Sequence, residues 1–349
     1  METRSSEDTR LKSQRLAILG AGAWGTALAI VLAPRFERVR LWVYEADLAD
    51  RMRAARENDV YLSGPRLADN VEIVTGMAEA GMAETLEGAA MVLGVMPSHH
   101  ARRMYGAALP HLDPSMILVS ATKGIERGTL LRMSEVAAEV IRGRFEPRIA
   151  VLSGPTFARE IACGEPAAVV IASADRDTAA EVQAAFAGPT FRLYTNLDPI
   201  GVEIGAALKN VIAIAAGVCH GLGLGSNTRA ALITRGLAEI TRLAVSMGGQ
   251  PRTLSGLAGL GDLVLTCGGE LSRNRQVGIE LARGRSLSDI VASMRAVAEG
   301  VETCDAGVAL GRKFGVDLPI IQQMHALLHA SKSPRDALRE LMDRSLKQE

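Results

Sequence analysis

A chain of 349 residues has room for two or three domains, and a hydrophobic share of 48% supplies large cores and excludes global disorder. Lys+Arg and Asp+Glu number 39 each, so the net charge is zero and no basic excess points to nucleic acid or a membrane surface as partner. No uninterrupted apolar run reaches membrane-spanning length, Val211–Val218 being among the longest, so the expectation is a soluble cytoplasmic protein without a membrane span.

Residues 1–14 are polar and charged, and read as a flexible tail rather than a signal peptide. The apolar run Leu16–Leu19 then leads into Gly20-Ala21-Gly22-Ala23-Trp24-Gly25 and a helical pattern through Ala33. A strand, a G-x-G-x-x-G turn and a helix N-terminus are what a dinucleotide pyrophosphate needs. Gly20 allows the tight turn, Gly22 lets backbone approach the phosphates, and Gly25 lets helix pack on strand. The free N–H groups and positive dipole end of the helix favour the anion.

Further short apolar runs follow at Val39–Val43, Val71–Val74, Met91–Val95, Ile117–Val119, Ile149–Leu152, Ala168–Ile171 and Phe191–Tyr194. Helical patterns lie between them at Asp47–Glu57, Met77–Leu86, Ala101–Leu109, Leu130–Ile141 and Asp177–Ala187. This alternation predicts an α/β N-terminal domain over 15–200, a Rossmann-like doubly wound sheet that takes ligands at the carboxyl ends of its strands. Beyond Asp198-Pro199 the β-rich runs vanish. Helical patterns at Val202–Val218, Thr228–Met247, Val277–Arg283, Leu287–Met294, Cys304–Phe314 and Ile320–Leu328 predict an all-α domain over 201–345. Gly221–Gly225 reads as a connection between two helices. Apolar helical surface in this half is compatible with a homodimer.

Polar residues at the strand ends are candidates for chemistry. Glu45, just past Val43, can accept hydrogen bonds from ribose hydroxyls or simply start a helix, while Arg51 nearby can offset a 2′-phosphate. Tyr44 can lie on an adenine or cover the sheet edge. The loop after Ile117–Val119 carries Lys123 between small residues, either reaching inward or solvated. Ser153-Gly154-Pro155-Thr156-Phe157-Ala158 is a compact loop whose N–H groups and Thr156 hydroxyl can face a polar ligand.

In the helical half, Lys209 has Gly205, Ala206, Ile212 and Ala213 as its helical neighbours. It either snorkels from a helix end or sits on a buried face. Burying an ammonium lowers its pKa or demands a paired charge, and a lysine with a pKa near neutrality is a competent general base. Asp262, in a glycine-rich apolar stretch, can orient and tune such a lysine. Ser272, Arg273 and Asn274 place a hydroxyl, a guanidinium and an amide at a helix start, a set suited to a phosphate.

Cys163, Cys219, Cys267 and Cys304 form no C-x-x-C pair and read as small buried thiols in a reducing compartment. His325 and His329 share a helix face at i,i+4, but no flanking acid supports a metal site, so they read as a surface or core-edge pair and no metal is expected.

In order, GAGAWGTALA (Gly20–Ala29), ATKGIE (Ala121–Glu126), LSGPTFAREIA (Leu152–Ala162), ALKNVIAIAAG (Ala207–Gly217), GLAGLGDLVLTC (Gly256–Cys267), SRNRQVG (Ser272–Gly278) and AEGVET (Ala298–Thr303) resemble the bacterial-type NAD(P)-dependent glycerol-3-phosphate dehydrogenases. The resemblance runs from about Leu16 to about Ile320. It implies a helical bundle like the C-terminal domain of 6-phosphogluconate dehydrogenase, with the active site between the two domains. It also implies interconversion of sn-glycerol 3-phosphate and dihydroxyacetone phosphate with NAD or NADP, feeding phospholipid synthesis. By the same resemblance, Lys209 is the proton acceptor. Lys123, Gly154, Thr156, Lys209, Asp262, Ser272, Arg273 and Asn274 contact substrate. Gly20, Gly22, Ala23, Trp24, Gly25, Tyr44, Lys123, Ala158, Arg273, Val297 and Glu299 line the cofactor. Ala23 stands where many members have serine, and Tyr44 where they often have histidine or arginine. The competing readings are a related two-domain dehydrogenase for another hydroxy acid and a non-catalytic dinucleotide-binding redox sensor.

Overall fold

The computed structural model describes residues 14–76, 79–294 and 298–345, so the expected tail up to residue 13, the first two residues of the helical pattern at Met77–Leu86, and Val297 lie outside the described residues. The chain divides into two compact units, Met1–Thr122 with Met133–Pro199, and Lys123–Arg132 with Ile200–Glu349.

The first unit contains ten strands, β1 (Arg15–Leu19), β2 (Arg38–Val43), β3 (Glu57–Asn58), β4 (Leu62–Arg66), β5 (Val71–Thr75), β6 (Met91–Gly94), β7 (Ile117–Ser120), β8 (Arg148–Ser153), β9 (Ala167–Ala172) and β10 (Phe191–Asn196). Eight of them form one sheet in the order β10-β9-β8-β7-β6-β1-β2-β5. Every pairing in it is parallel except β8 with β9. Each expected apolar run is a strand of this sheet, because residues such as Ile18, Leu41, Leu93 and Val119 are covered on both faces. The helices of this unit are α1 (Ala23–Leu32), α2 (Ala46–Ala55), α3 (Glu79–Leu86), α4 (Ala101–Ala108), α5 (Met133–Ile141), α6 (Ala158–Ala162) and α7 (Arg176–Phe186). From β1 the chain winds out to β2 and β5, then returns to β6 on the other side of β1. The ends of β1 and β6 are therefore the switch point at which doubly wound sheets take ligands.

One helix boundary needs correction, and one hairpin lies outside the expected elements. The helix expected from Leu130 starts at Met133, because Leu130 has φ 63°, outside the right-handed helical region. The hairpin β3–β4 was not anticipated: β3 is two residues long and β4 reads Leu-Ser-Gly-Pro-Arg, with no apolar alternation to mark it.

The second unit is helical, with α8 (Pro199–Gly221), α9 (Ser226–Ser246), α10 (Pro251–Leu254), α11 (Asp262–Gly268), α12 (Arg273–Ala282), α13 (Leu287–Ser293), α14 (Glu299–Phe314), α15 (Pro319–His329) and α16 (Pro334–Met342). The long apolar α8 is its axis, with every residue from Gly201 to Cys219 buried. By length and composition alone α8 could cross a membrane, but its apolar window is 100% buried within the protein. Its buried Glu203, Lys209 and Asn210 are polar side chains that this interior must satisfy. The segment Lys123–Arg132 joins the unit as a small hairpin closed by a bridge between Ile125 and Arg132. Ile125 packs into the helical core, and buried Arg132 pairs with buried Glu203 at 2.5 Å. Buried Glu239 on α9 accepts hydrogen bonds from the backbone N–H groups of Ile320 (2.8 Å) and Ile321 (3.3 Å), capping α15, while burial pushes its carboxyl up to about 7. Three cysteines are buried as expected, whereas Cys163 is exposed at the end of the short α6.

Helices α8 and α12 touch backbone to backbone. A Cβ on Gly217 would lie 1.9 Å from the Arg275 carbonyl oxygen, and one on Gly278 would lie 1.9 Å from that of Ile214. No rotamer change relieves a clash with backbone, so the helices would have to separate. Gly278→Ala is therefore expected to destabilise the fold by about 1–3 kcal/mol, read as a lower denaturant midpoint at unchanged m-value. An unaltered midpoint would contradict this packing.

Candidate active site

In the first unit, Gly20 follows β1 with φ 119°, and a Cβ there would sit 2.3 Å from the carbonyl oxygen of Val95, just past β6. A Cβ on Gly25 would sit 1.9 Å from the Gly20 carbonyl oxygen. Both glycines are thus required by the turn itself. Gly22 differs: a Cβ there would meet nothing within 4 Å, so the protein does not require glycine at this place. Gly22 is also the N-cap of α1 and supplies no side-chain cap, leaving the N–H groups of the first turn, from Ala23 and Trp24 onward, to another acceptor. A bare backbone at a helix N-terminus on the switch point fits a pyrophosphate. Trp24 is half-buried against the sheet core, and its indole N–H meets no acceptor among the described residues.

Asn58 on β3 holds this turn, a role without a local pattern to mark it. Its side chain is fully buried, and Nδ2 donates to the Ala21 carbonyl (2.8 Å) and to Thr26 Oγ1 (2.9 Å). Its Oδ1 accepts from the backbone N–H of Tyr61 (2.9 Å). An asparagine between Glu57 and Asp59 reads as an ordinary polar surface residue; only the fold brings it to Ala21.

At the end of β2, Tyr44 is 57% exposed, with its ring 6.2 Å from that of Trp42. Glu45 is the N-cap residue of α2, and its Oε1 accepts from the Tyr61 hydroxyl at 2.7 Å. That hydrogen bond, with burial, pushes the Tyr61 phenol up to about 12. Arg51 is committed to Asp47 (2.9 Å) and Asp59 (3.0 Å). After β8, Gly154 adopts φ 147° and would place a Cβ 3.0 Å from the Val169 Cα. Thr156 Oγ1 donates to the Gly154 carbonyl (3.1 Å), and half-buried Ala158 opens α6.

In the second unit, Lys209, Lys123 and Asp262 form one charged cluster. Lys209 on α8 is 5% exposed, and Nζ donates to Asp262 Oδ1 at 2.5 Å and to Thr266 Oγ1 at 2.9 Å. Lys123 Nζ donates to the other carboxylate oxygen, Asp262 Oδ2, at 3.0 Å. Asp262, 1% exposed, starts α11 directly after a single π-helical turn at Leu257–Gly261. Burial pulls Lys209 down to about 8, with the Lys123 ammonium adding to the fall and Asp262 opposing it. Burial alone would raise the Asp262 carboxyl, but the two ammonium groups reverse that and hold it below its ordinary value. Thr266, four residues along the same helix, donates to the Asp262 backbone carbonyl at 2.6 Å and so keeps an oxygen lone pair towards Lys209. Its signal was the i,i+4 spacing from Asp262.

Around this cluster, Glu299 opens α14 and reaches Asn210 Nδ2 at 3.5 Å. Burial raises its carboxyl, against the pull of Lys123, Lys209 and Arg273. Ser272 is the N-cap of α12: its Oγ accepts from the Arg275 N–H at 3.3 Å, which leaves the O–H as a donor. Asn274 Oδ1 accepts from the Gly300 N–H at 2.9 Å. Arg273, in the first turn of α12, is exposed and makes no hydrogen bond or ion pair among the described residues.

Residues 15–179 match the family model described as the N-terminus of NAD-dependent glycerol-3-phosphate dehydrogenase, and residues 198–339 match the model of its C-terminus. The chain is 57% identical over 332 residues to a protein of Koribacter versatilis named glycerol-3-phosphate dehydrogenase (NAD(P)+), covering 95% of this chain and 97% of that one. It is 51% identical to a protein of the same name from Citrifermentans bemidjiense, covering 97% and 99%. A crystal structure of glycerol-3-phosphate dehydrogenase from Coxiella burnetii superposes with a TM-score of 0.89 at 39% identity, covering 95% and 99%. With matches along both units, the chain belongs to the NAD-dependent glycerol-3-phosphate dehydrogenase family.

Proposed function

We propose that the protein interconverts sn-glycerol 3-phosphate and dihydroxyacetone phosphate with NAD or NADP, with Lys209 moving the proton, and so supplies glycerol 3-phosphate for phospholipid synthesis. The observation that carries this reading is the buried Lys209 ammonium, 2.5 Å from Asp262 and pulled down to about 8. At pH 7 such a lysine is neutral in about a tenth of molecules, against fewer than about one in a thousand at the ordinary lysine pKa. It can therefore take the proton of the C2 hydroxyl in oxidation and return it in reduction. The dinucleotide, when bound, accepts or supplies the hydride.

The residues of the chain divide the remaining work. Gly20, Gly22, Ala23, Trp24 and Gly25 hold the pyrophosphate end, and Tyr44 the adenosine end. Ala158, Glu299 and Arg273 line the dinucleotide. Gly154, Thr156, Ser272 and Asn274 contact substrate, while Asp262 orients Lys209, and Lys123 polarises the substrate oxygen and keeps the Lys209 pKa low. The unengaged Arg273 guanidinium supports a phosphate-gripping role, since a planar charged fork suits that anion. A non-catalytic sensor would have no use for a desolvated lysine held this way.

A homodimer fits the apolar character of the second unit's helices, whose exposed side chains include Val264 and Leu271. A monomer in sedimentation equilibrium would rule that out. The four unpaired thiols support a reducing compartment, the cytoplasm, checked by cell fractionation.

Steady-state assays with NADH and NADPH in parallel test the reaction. Lys209→Ala should lower kcat for dihydroxyacetone phosphate reduction on the order of 10²–10⁴-fold. In the wild type, glycerol 3-phosphate oxidation should rise with pH through about 8 as Lys209 becomes neutral. The reduction should fall over the same range. Near-normal turnover in the variant, or flat profiles, would remove Lys209 from this role. Losing a charge-assisted contact in Arg273→Ala should raise KM about 10- to 100-fold; an unchanged KM would put the phosphate elsewhere.

A further inference from the structure

The paired histidines on α15 acquire from the fold the acid that the sequence around them lacks. His325 and His329 stand one turn apart with ring centroids 5.0 Å apart. From α14, Asp305 brings Oδ1 to 2.9 Å from His329 Nε2 and 3.4 Å from His325 Nε2. One ligand atom from each residue falls within 4.8 Å of the other two. We propose that Asp305, His325 and His329 form a binding site for a divalent transition metal of the zinc class, which clips α14 to α15.

Two imidazole nitrogens and one carboxylate oxygen are the donors that zinc, cobalt and nickel accept. Calcium and magnesium prefer a shell of oxygens. Both imidazoles present Nε2 to the same point, so one ion can replace the shared carboxylate contact without a change of helix register. His329 is the last residue of α15, where the carbonyl end of the helix favours a cation. The three side chains are 31–38% exposed, which lets water complete the coordination. Among the described residues, the cation paired with the group is Arg127, 3.7 Å from Asp305 Oδ2; at 84% exposure it is free to swing into solvent. The site shares no residue with the Lys209 cluster and takes no part in proton transfer.

Calorimetric titration of the tag-free, chelator-stripped full chain with zinc chloride tests the site. The expected result is one ion per chain, with a dissociation constant on the order of 10 µM or tighter and a raised unfolding temperature. Asp305→Asn, His325→Ala and His329→Ala should each weaken binding at least about tenfold. Cobalt in place of zinc should give a visible absorption band that His329→Ala abolishes. The unfolding temperature of each metal-free variant checks that it folds. No saturable binding by the wild type, or undiminished binding by folded variants, would overturn the proposal and leave the trio as an ion-pair cluster.

Discussion

The charged cluster of the helical unit turns on one carboxylate. Asp262 lies between two ammonium groups, Lys209 at 2.5 Å and Lys123 at 3.0 Å, with both oxygens used and almost no water in reach. Two positive charges against one negative leave the cluster with a net +1 in a poorly hydrated place. The least costly relief is for the more deeply buried lysine to release its proton. That is Lys209, and burial outweighs the attraction of Asp262 there. The same imbalance keeps Asp262 ionised, so the carboxylate stays an acceptor while Lys209 changes charge. Removing one partner of such a group strands a buried charge, typically at a cost of about 3–5 kcal/mol.

The surrounding structure serves to keep these three groups at their distances. The axis helix α8 carries Lys209, and the Gly217–Gly278 approach fixes α12, with Arg273 in its first turn, against it. The hairpin Lys123–Arg132 brings the second ammonium, held by the buried Arg132–Glu203 pair on the same axis helix. A π-helical turn delivers Asp262 to the start of α11, an irregularity of the kind common at functional sites. Gly300, at the second position of α14, would bring a Cβ to 2.7 Å from both the Asn210 carbonyl oxygen and Asn274 Oδ1, so α14 also begins in contact with this frame. In the first unit, Asn58 performs the comparable task by fixing the glycine turn through Ala21 and Thr26.

Much of this was legible in the sequence, for physical reasons that differ by element. The sheet strands were readable because parallel strands buried on both faces are nearly continuous apolar runs. Lys209 stood out because a single cation in an apolar helix must be neutralised or paired. The glycine turn was readable because its steric demands act between neighbours in the chain. What could not be read were contacts between distant segments. Asn58 meets Ala21 across 37 residues, Asp305 meets His329 from another helix, and the hairpin 123–132 leaves a stretch of β/α alternation to join the helical core. Nor could local pattern show that Ser272 and Asn274 also accept backbone N–H groups, from Arg275 and Gly300, which fixes both side chains while their O–H and N–H groups remain donors.

Burial beside Lys123 and Asp262 places the Lys209 proton within reach of neutral pH. The most direct test is a pH titration of the protein with 13C-labelled lysine side chains, followed by NMR at the Cε position. The Lys209 signal would be assigned by its loss in Lys209→Arg. The expected result is a Lys209 signal that titrates near 8, below the ordinary lysine range of about 10.4. A Lys209 signal that stays protonated until it titrates with the other lysines would contradict it.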